Sequence, residues 1–323
     1  MNLCLYYRNM FTKRVKIILS VMIIITLCTG IFTLTGCKKE ERIIYRILQM
    51  TDPQYAFGVD VEAKSTDSIK RLVKKTKPDL IVITGDLVHN KYYNGGIYQE
   101  VIDFLDTFKT PYAIVFGNHD CEGKNTKDEI AEIVKSGKYS VFEEGPEEIS
   151  GKGNYIINID NTEGNICWSL IMIDSNEYLE GRYDYIHQDQ VDWYRESVAA
   201  LKEHNGDKLN SLAFFHIPLP EYNDAWLNKD QEGVIYHFGE KRQNVNASKV
   251  NSGLFQVMKE LDSTRGIFAG HDHNNDFSIT YQGIRLTCGL KTAYGSFGTE
   301  NVRGGNLICL TENDFIVNQI FCN

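Results

Sequence analysis

Several short apolar runs in this chain each stop abruptly at a loop bearing a carboxylate, an imidazole or a carboxamide, and this repeated pattern most restricts its fold. Ile43 to Met50 runs into Thr51-Asp-Pro-Gln54, Asp79 to Thr84 into Gly85-Asp86, and Pro111 to Phe116 into Gly117-Asn-His-Asp120. Runs of this length and β-branched content are buried strands. Between them, Ser68 to Lys77 and Tyr98 to Phe108 carry apolar residues at helical spacing, with Ile69, Leu72 and Val73 on one face and Val101, Ile102, Leu105 and Phe108 on the other segment's face. Strand, helix, strand, helix, strand is the order of parallel βαβ units, so the fold class is α/β. Open α/β sheets place their ligand sites at the carboxyl ends of the strands.

The rest of the chain repeats the theme with more strand. Lys127 to Ser136 reads as a helix, Tyr155 to Ile159 and Ile166 to Asp174 as strands around an Asn161-Thr-Glu-Gly164 turn, and Gln190 to His204 as a helix. Ser211 to Phe215 is a strand ending at His216, Ser252 to Leu261 a helix, and Gly266 to Ala269 a short strand leading into Gly270-His-Asp-His273. The C-terminal end is β-rich. Tyr222 to Val250 is irregular and is expected to form a long surface excursion, in the manner of a lid.

Taken together, the strand-end residues are Asp52, Gln54, Asp86, Asn118, His119, His216, His271 and His273. Carboxylates, imidazoles and a carboxamide suit a first-row divalent metal better than calcium or a thiolate site. Asp52 and Gln54 are two apart, as are His271 and His273, so each pair projects to one side of an extended segment. Asp272 then points away, where it would orient an imidazole. Each element alone has an ordinary explanation as a turn or loop residue. Five such sites, all directly after apolar runs, make coincidence a poor account.

Asp52-x-Gln54, Gly85-Asp86, Gly117-Asn-His-Asp120, His216 and Gly270-His-Asp-His273 resemble the signature of the calcineurin-like metallophosphoesterases, in a branch related to purple acid phosphatases. The resemblance covers about Ile43 to Ile320. It implies a four-layer α-β-β-α sandwich of two mixed sheets, with two divalent metal ions (Mn, Fe or Zn) at the sheet edges. It implies that Asp52, Gln54 and His273 hold the first metal, that Asp86 bridges, and that Asn118, His216 and His271 hold the second. His119 would protonate the leaving group, with Asp120 holding its tautomer. The implied reaction is hydrolysis of a phosphate mono- or diester by attack of metal-bound hydroxide.

Two positions depart from that pattern. Gln54 stands where the family usually has His, and His89 stands three residues after Asp86, where purple acid phosphatases carry a metal-binding Tyr. His89 is therefore a candidate replacement nitrogen ligand for the first metal, against a role as a supporting or exposed loop histidine. Arg182, Arg285 and Arg303 are candidates for gripping a phosphate, and Tyr183, Tyr185, Trp193 and Trp226 either line a substrate mouth or pack. The competing function is a non-catalytic metal- or ligand-binding surface lipoprotein with a degenerate first metal site.

The N-terminal 36 residues contain no acid and four bases, Arg8, Lys13, Arg14 and Lys16, followed by the apolar run Ile17 to Leu34 and then Leu34-Thr-Gly-Cys37. This is an export signal, and the tetrapeptide resembles a bacterial lipobox, which implies a lipid on Cys37 and an extracytoplasmic, membrane-anchored lipoprotein. The alternative is an uncleaved membrane anchor. The expected division is a signal peptide over residues 1–36, a lipidated tether over 37–42 and a metallophosphoesterase domain over 43–323. Without the signal, 30 basic residues face 43 acidic ones, which argues against nucleic-acid backbone binding. Cys121, Cys167, Cys288, Cys309 and Cys322 show neither a disulfide framework nor a CxxC pair.

Overall fold

The structure is a computed structural model that describes residues 42–55, 59–89, 96–294, 296, 298, 299 and 302–322. The signal, Cys37 and nearly all of the tether lie outside the described residues. Two mixed sheets with helices form the α/β architecture expected from the sequence. The first sheet begins with β1 (Tyr45–Met50), β2 (Leu80–Thr84) and β3 (Tyr112–Val115), linked by α1 (Val59–Thr76) and α2 (Gly96–Asp106). These three strands are parallel neighbours, as βαβ crossovers require. All of β2 and β3 is buried, which is why they read as continuous apolar runs rather than alternating ones.

After α3 (Lys127–Ser136), the chain builds the second sheet from β4 (Tyr155–Asp160) and β5 (Ile166–Met172). A small hairpin of β6 (Tyr178–Leu179) and β7 (Arg182–Tyr183) leads to α4 (Gln188–His204) and β8 (Asn210–Phe214). Next come α5 (Glu221–Leu227), β9 (Ile235–Phe238), α6 (Leu254–Leu261), β10 (Thr264–Ala269), β11 (Ser278–Tyr281) and β12 (Ile284–Cys288). The chain returns to the first sheet with β13 (Gly304–Leu310) and β14 (Phe315–Phe321). The sheet orders are β14-β13-β1-β2-β3 and β4-β5-β8-β10-β12-β11-β9.

Aromatic residues from both sheets join across one core. Trp168 meets Phe315 edge-on, Phe214 stacks on Phe268, and the Trp168 indole donates to Thr311 O at 2.7 Å. A second core packs α4, α5 and α6 on the far face of the larger sheet, through Val191, Tyr194, Val198, Tyr222, Leu254 and Met258. The α3 helix starts with a capping box, Thr126 accepting from the Glu129 backbone while Glu129 accepts from Thr126 N.

Two expectations about the chain change. The first helix begins at Val59 rather than Ser68, its polar N-terminal half having hidden it. The Tyr222 to Val250 excursion is instead built: it contributes α5 and the edge strand β9, and its later part is tied down through Asp272. All five cysteines within the described residues are free thiols.

Candidate metal centre

The parallel strands of both sheets end at one place. Asp52 and Gln54 follow β1, Asp86 follows β2, and Asn118 and His119 follow β3. From the other sheet, His216 follows β8, and His271 and His273 follow β10. Except for His119, all of these side chains are buried. Asp52, Gln54, Asp86 and His271 have φ values of 51°, 43°, 52° and 70°, a left-handed conformation that costs a non-glycine residue about 1–3 kcal/mol. Strain at four candidate ligands is held by the surrounding packing. Gly85 has φ 84°, and a Cβ there would collide with the His216 ring; one at Gly117 would collide with the Asp86 carboxylate.

At the position expected for the second metal, potential ligand atoms converge. His216 Nδ1 lies 2.8 Å from Thr84 O, so that nitrogen carries the proton and donates. Its Nε2 then faces Asn118 Oδ1 at 3.2 Å, Asp86 Oδ1 at 3.3 Å and His271 Nδ1 at 3.3 Å. The other His271 nitrogen, Nε2, is buried and has no hydrogen-bond partner among the described residues. Burial and the neighbouring His216 press His271 down to about 3, leaving it neutral. Burial also opposes charge on His216, yet the Asp86 and Asp52 carboxylates lift it to about 10. A cluster that draws a proton so strongly is short of positive charge. Asp52, Asp86 and His216 offer atoms within 4.8 Å of one another that could hold an ion, and this donor set fits a divalent metal.

The first position differs. Asp52 Oδ1 meets His273 Nε2 at 3.0 Å, and burial is outweighed by His273 in drawing the Asp52 carboxyl down to about 2. The Gln54 carboxamide, however, turns its nitrogen inward: Nε2 donates to Asp86 Oδ2 at 3.2 Å and sits 3.3 Å from His273 Nε2. Its oxygen faces Lys291 Nζ at 2.6 Å, and the same amino group donates to Asp52 O at 3.2 Å. A carboxamide ligates through oxygen, so Gln54 does not fit the role of first-metal ligand that its sequence position implies. Burial presses the Lys291 ammonium down to about 7 against the pull of Asp52. Lys291 also follows a strand end, three residues beyond the last residue of β12, but as a lysine it lacks the ligand chemistry that marks the other strand-end residues in the sequence.

His119 sits at the rim, with its side chain 24% exposed, and its backbone N–H donates to Asp86 Oδ1 at 2.9 Å. Its Nε2 points back toward Asp86 Oδ2 at 4.0 Å, and its Nδ1 lies 2.9 Å from Glu122 Oε2. Burial favours the neutral ring, but Glu122 and Asp86 together raise its pKa. Glu122, not Asp120, is thus the carboxylate set against the imidazole. Asp120 instead accepts from Gly117 N at 2.7 Å, Val88 N at 3.1 Å and the Tyr98 hydroxyl at 3.1 Å, pinning the turn that carries Asn118 and His119. Burial and the Asp86 carboxylate push its carboxyl up to about 7.

His89 joins His119 rather than the first metal position. The two rings lie 4.4 Å apart, and His89, His119 and Glu122 form a half-buried group of potential ligands. Asp272 also differs from expectation: its carboxylate accepts from Gln243 Nε2, Asn246 Nδ2 and Asn275 Nδ2, so it braces the Gly270–His273 loop against the residues after β9. The β6–β7 hairpin supplies the rim. Tyr183 meets His271 edge-on at 4.4 Å, and Tyr178, unremarked in the sequence, accepts from Asn118 Nδ2 at 2.7 Å, which aims Oδ1 inward. Arg285 bonds Ser278 and stacks on Phe238 and Phe315 near the opposite end of β12, and Arg303 is buried beside Tyr294. Trp193 is core and Trp226 packs on Phe277, while Arg182 is exposed on the rim hairpin.

The calcineurin-like phosphoesterase family matches the chain over residues 45–275. "Probable inactive purple acid phosphatase 14" of Arabidopsis thaliana is 27% identical over 293 residues, covering 79% of this chain and 72% of its own length. "Phosphatase DCR2" of Saccharomyces cerevisiae is 31% identical over 240 residues, covering 68% of this chain and 40% of its own. A dimetal phosphatase from Danio rerio shares the fold, with a TM-score of 0.58 at 11% identity over 87% of this chain and 98% of that one.

Proposed function

The chain belongs to the calcineurin-like phosphoesterase family, and from that premise we propose that it hydrolyses a phosphate mono- or diester at its strand-end metal centre. The observation that carries this reading is the convergence of Asp86, Asn118, His216 and His271 lone pairs on one buried point beside an accessible imidazole. A divalent metal bound by these four residues would supply Lewis acidity toward a phosphoryl oxygen and toward water.

The chain's own groups do the rest. Tyr178 holds the Asn118 amide so that its oxygen faces the metal position, and Thr84 O holds the His216 tautomer. His119 stands at the rim, where Glu122 favours its protonated form, and it donates that proton to the departing ester oxygen. Asp52, with its backbone contact from His271 N at 3.1 Å, keeps the two halves of the centre in register across the sheets. Outside this domain, the proposal places the protein beyond the cytoplasm on a lipid at Cys37; Cys37→Ser should abolish labelling by a fatty-acid analogue, and persistent labelling would refute that anchor.

Hydrolysis of a panel of aryl phosphate monoesters and diesters by the full chain, with Mn²⁺ added and then chelated, tests the activity. The expected result is turnover that chelation abolishes. Metal-loaded protein inert on the whole panel would favour the second reading, a non-catalytic ligand-binding lipoprotein. That reading is supported by the "inactive" in the names of relatives such as the Arabidopsis protein and by the inward NH₂ of Gln54.

A further inference from the structure

Two positions in this centre face the same problem, a knot of buried acceptors, and solve it differently. In the second position the acceptors meet one another. Asn118 Oδ1, Asp86 Oδ1 and His271 Nδ1 all crowd His216 Nε2, and His271 Nε2 has no partner among the described residues. In the first, donors from the protein already occupy the space: the Gln54 NH₂ lies between Asp86 Oδ2 and His273 Nε2.

The orientation of that carboxamide is set by Lys291. Its amino group donates to Gln54 Oε1 at 2.6 Å and to Asp52 O at 3.2 Å. An amino nitrogen donates in either protonation state, and flipping the amide would set NH₂ against it. Lys291 is itself fixed. It is fully buried, its backbone bridges in parallel to Thr51, Thr292 N donates to Thr51 O at 2.9 Å, and Gly304 N donates to Lys291 O at 3.1 Å. The side chain therefore enters from the end of β12 on a backbone locked to the end of β1, immediately beside Asp52.

We infer that Lys291 and Gln54 together take the place of the first metal, so that this is a one-metal centre in which an amino group and an amide stand where the first cation would be. This rests on the reading that the second position binds a divalent metal. A divalent ion at the first position would have to displace an amide NH₂ and lie beside a buried amino group, both donor ends, while losing an oxygen ligand to Lys291. Asp52 Oδ1 and His273 Nε2 remain in contact at 3.0 Å, and Asp52 Oδ2 accepts from the His271 backbone N–H at 3.1 Å.

The test is metal stoichiometry with Mn²⁺ alone as the probe, read by elemental analysis after gel filtration and by electron paramagnetic resonance. The native chain should bind one Mn²⁺ with an uncoupled spectrum. The double variant Gln54→His with Lys291→Met restores an imidazole and removes the amino group, and should bind two, with a spin-coupled signal. Retention of the first equivalent reports that the variant is folded. Two coupled Mn²⁺ in the native chain would overturn the inference and leave the proposed function standing. No Mn²⁺ bound at all would overturn the metal-centre reading itself. One Mn²⁺ in both the native chain and the folded double variant would overturn the assignment of the effect to Lys291 and Gln54.

Discussion

Asp120→Ala removes the acceptor of two buried backbone N–H groups, those of Gly117 at 2.7 Å and Val88 at 3.1 Å. The Tyr98 hydroxyl, which also donates to Asp120, keeps a partner in the Asp120 carbonyl oxygen. Each orphaned buried N–H costs about 1–3 kcal/mol, so the loss should be about 2–6 kcal/mol. A domain's whole stability is about 5–15 kcal/mol, which makes this a severe destabilisation. Glu122→Gln, by contrast, touches a part-exposed contact, with both side chains over a fifth exposed. Its stability cost should stay within about 1 kcal/mol. Urea unfolding of the metal-free proteins distinguishes the two: a large drop in midpoint for Asp120→Ala with unchanged slope, and a small one for Glu122→Gln. An Asp120→Ala protein as stable as the native chain would refute the account of Asp120 as the pin of this turn. It would revive its expected role as the partner of His119.

Other consequences are sharper in binding or rate than in stability. Gly85→Ala places a Cβ into the His216 ring at a φ of 84°, and should destabilise the protein by about 1–3 kcal/mol and weaken Mn²⁺ binding, both read by thermal unfolding with and without Mn²⁺. Tyr178→Phe frees the Asn118 amide and should cost about tenfold in Mn²⁺ affinity by equilibrium dialysis; an unchanged constant would show that the tyrosine does not orient the ligand. Asn118→Ala should likewise weaken metal binding, whereas His119→Ala should leave it intact and slow esters with poor leaving groups about 10²–10⁴-fold, more than those with good ones.

Much of this centre was legible because each ligand candidate closes a buried strand. The end of β3 shows the principle: four fully buried residues stop, and Gly117-Asn-His-Asp120 begins where the two sheets meet. Roles within the loop were less legible. Asp120 adjoins His119 in sequence, yet the turn folds its carboxylate back on Gly117 N and brings Glu122, three residues on, to the ring. Lys291 was hidden for another reason. A lone lysine after an apolar run reads as a solvated charge, and only the pairing of Thr51 with Lys291 between the two sheets buries it against Gln54. Likewise Val234 to Phe238 is a short run of β-branched and aromatic residues, but it lies inside a stretch rich in Asn, Lys and Gly and forms a largely exposed edge strand, so its signal is weak.

Co-titration of Mn²⁺ binding and ester hydrolysis in the full chain bears most directly on the central claim, that the Asp86–Asn118–His216–His271 position is the working centre. The account predicts that the rate rises in proportion to bound metal, saturates at the first equivalent and falls severely in Asp86→Asn. A first equivalent bound at this position without any hydrolysis, or hydrolysis undiminished in Asp86→Asn, would contradict it.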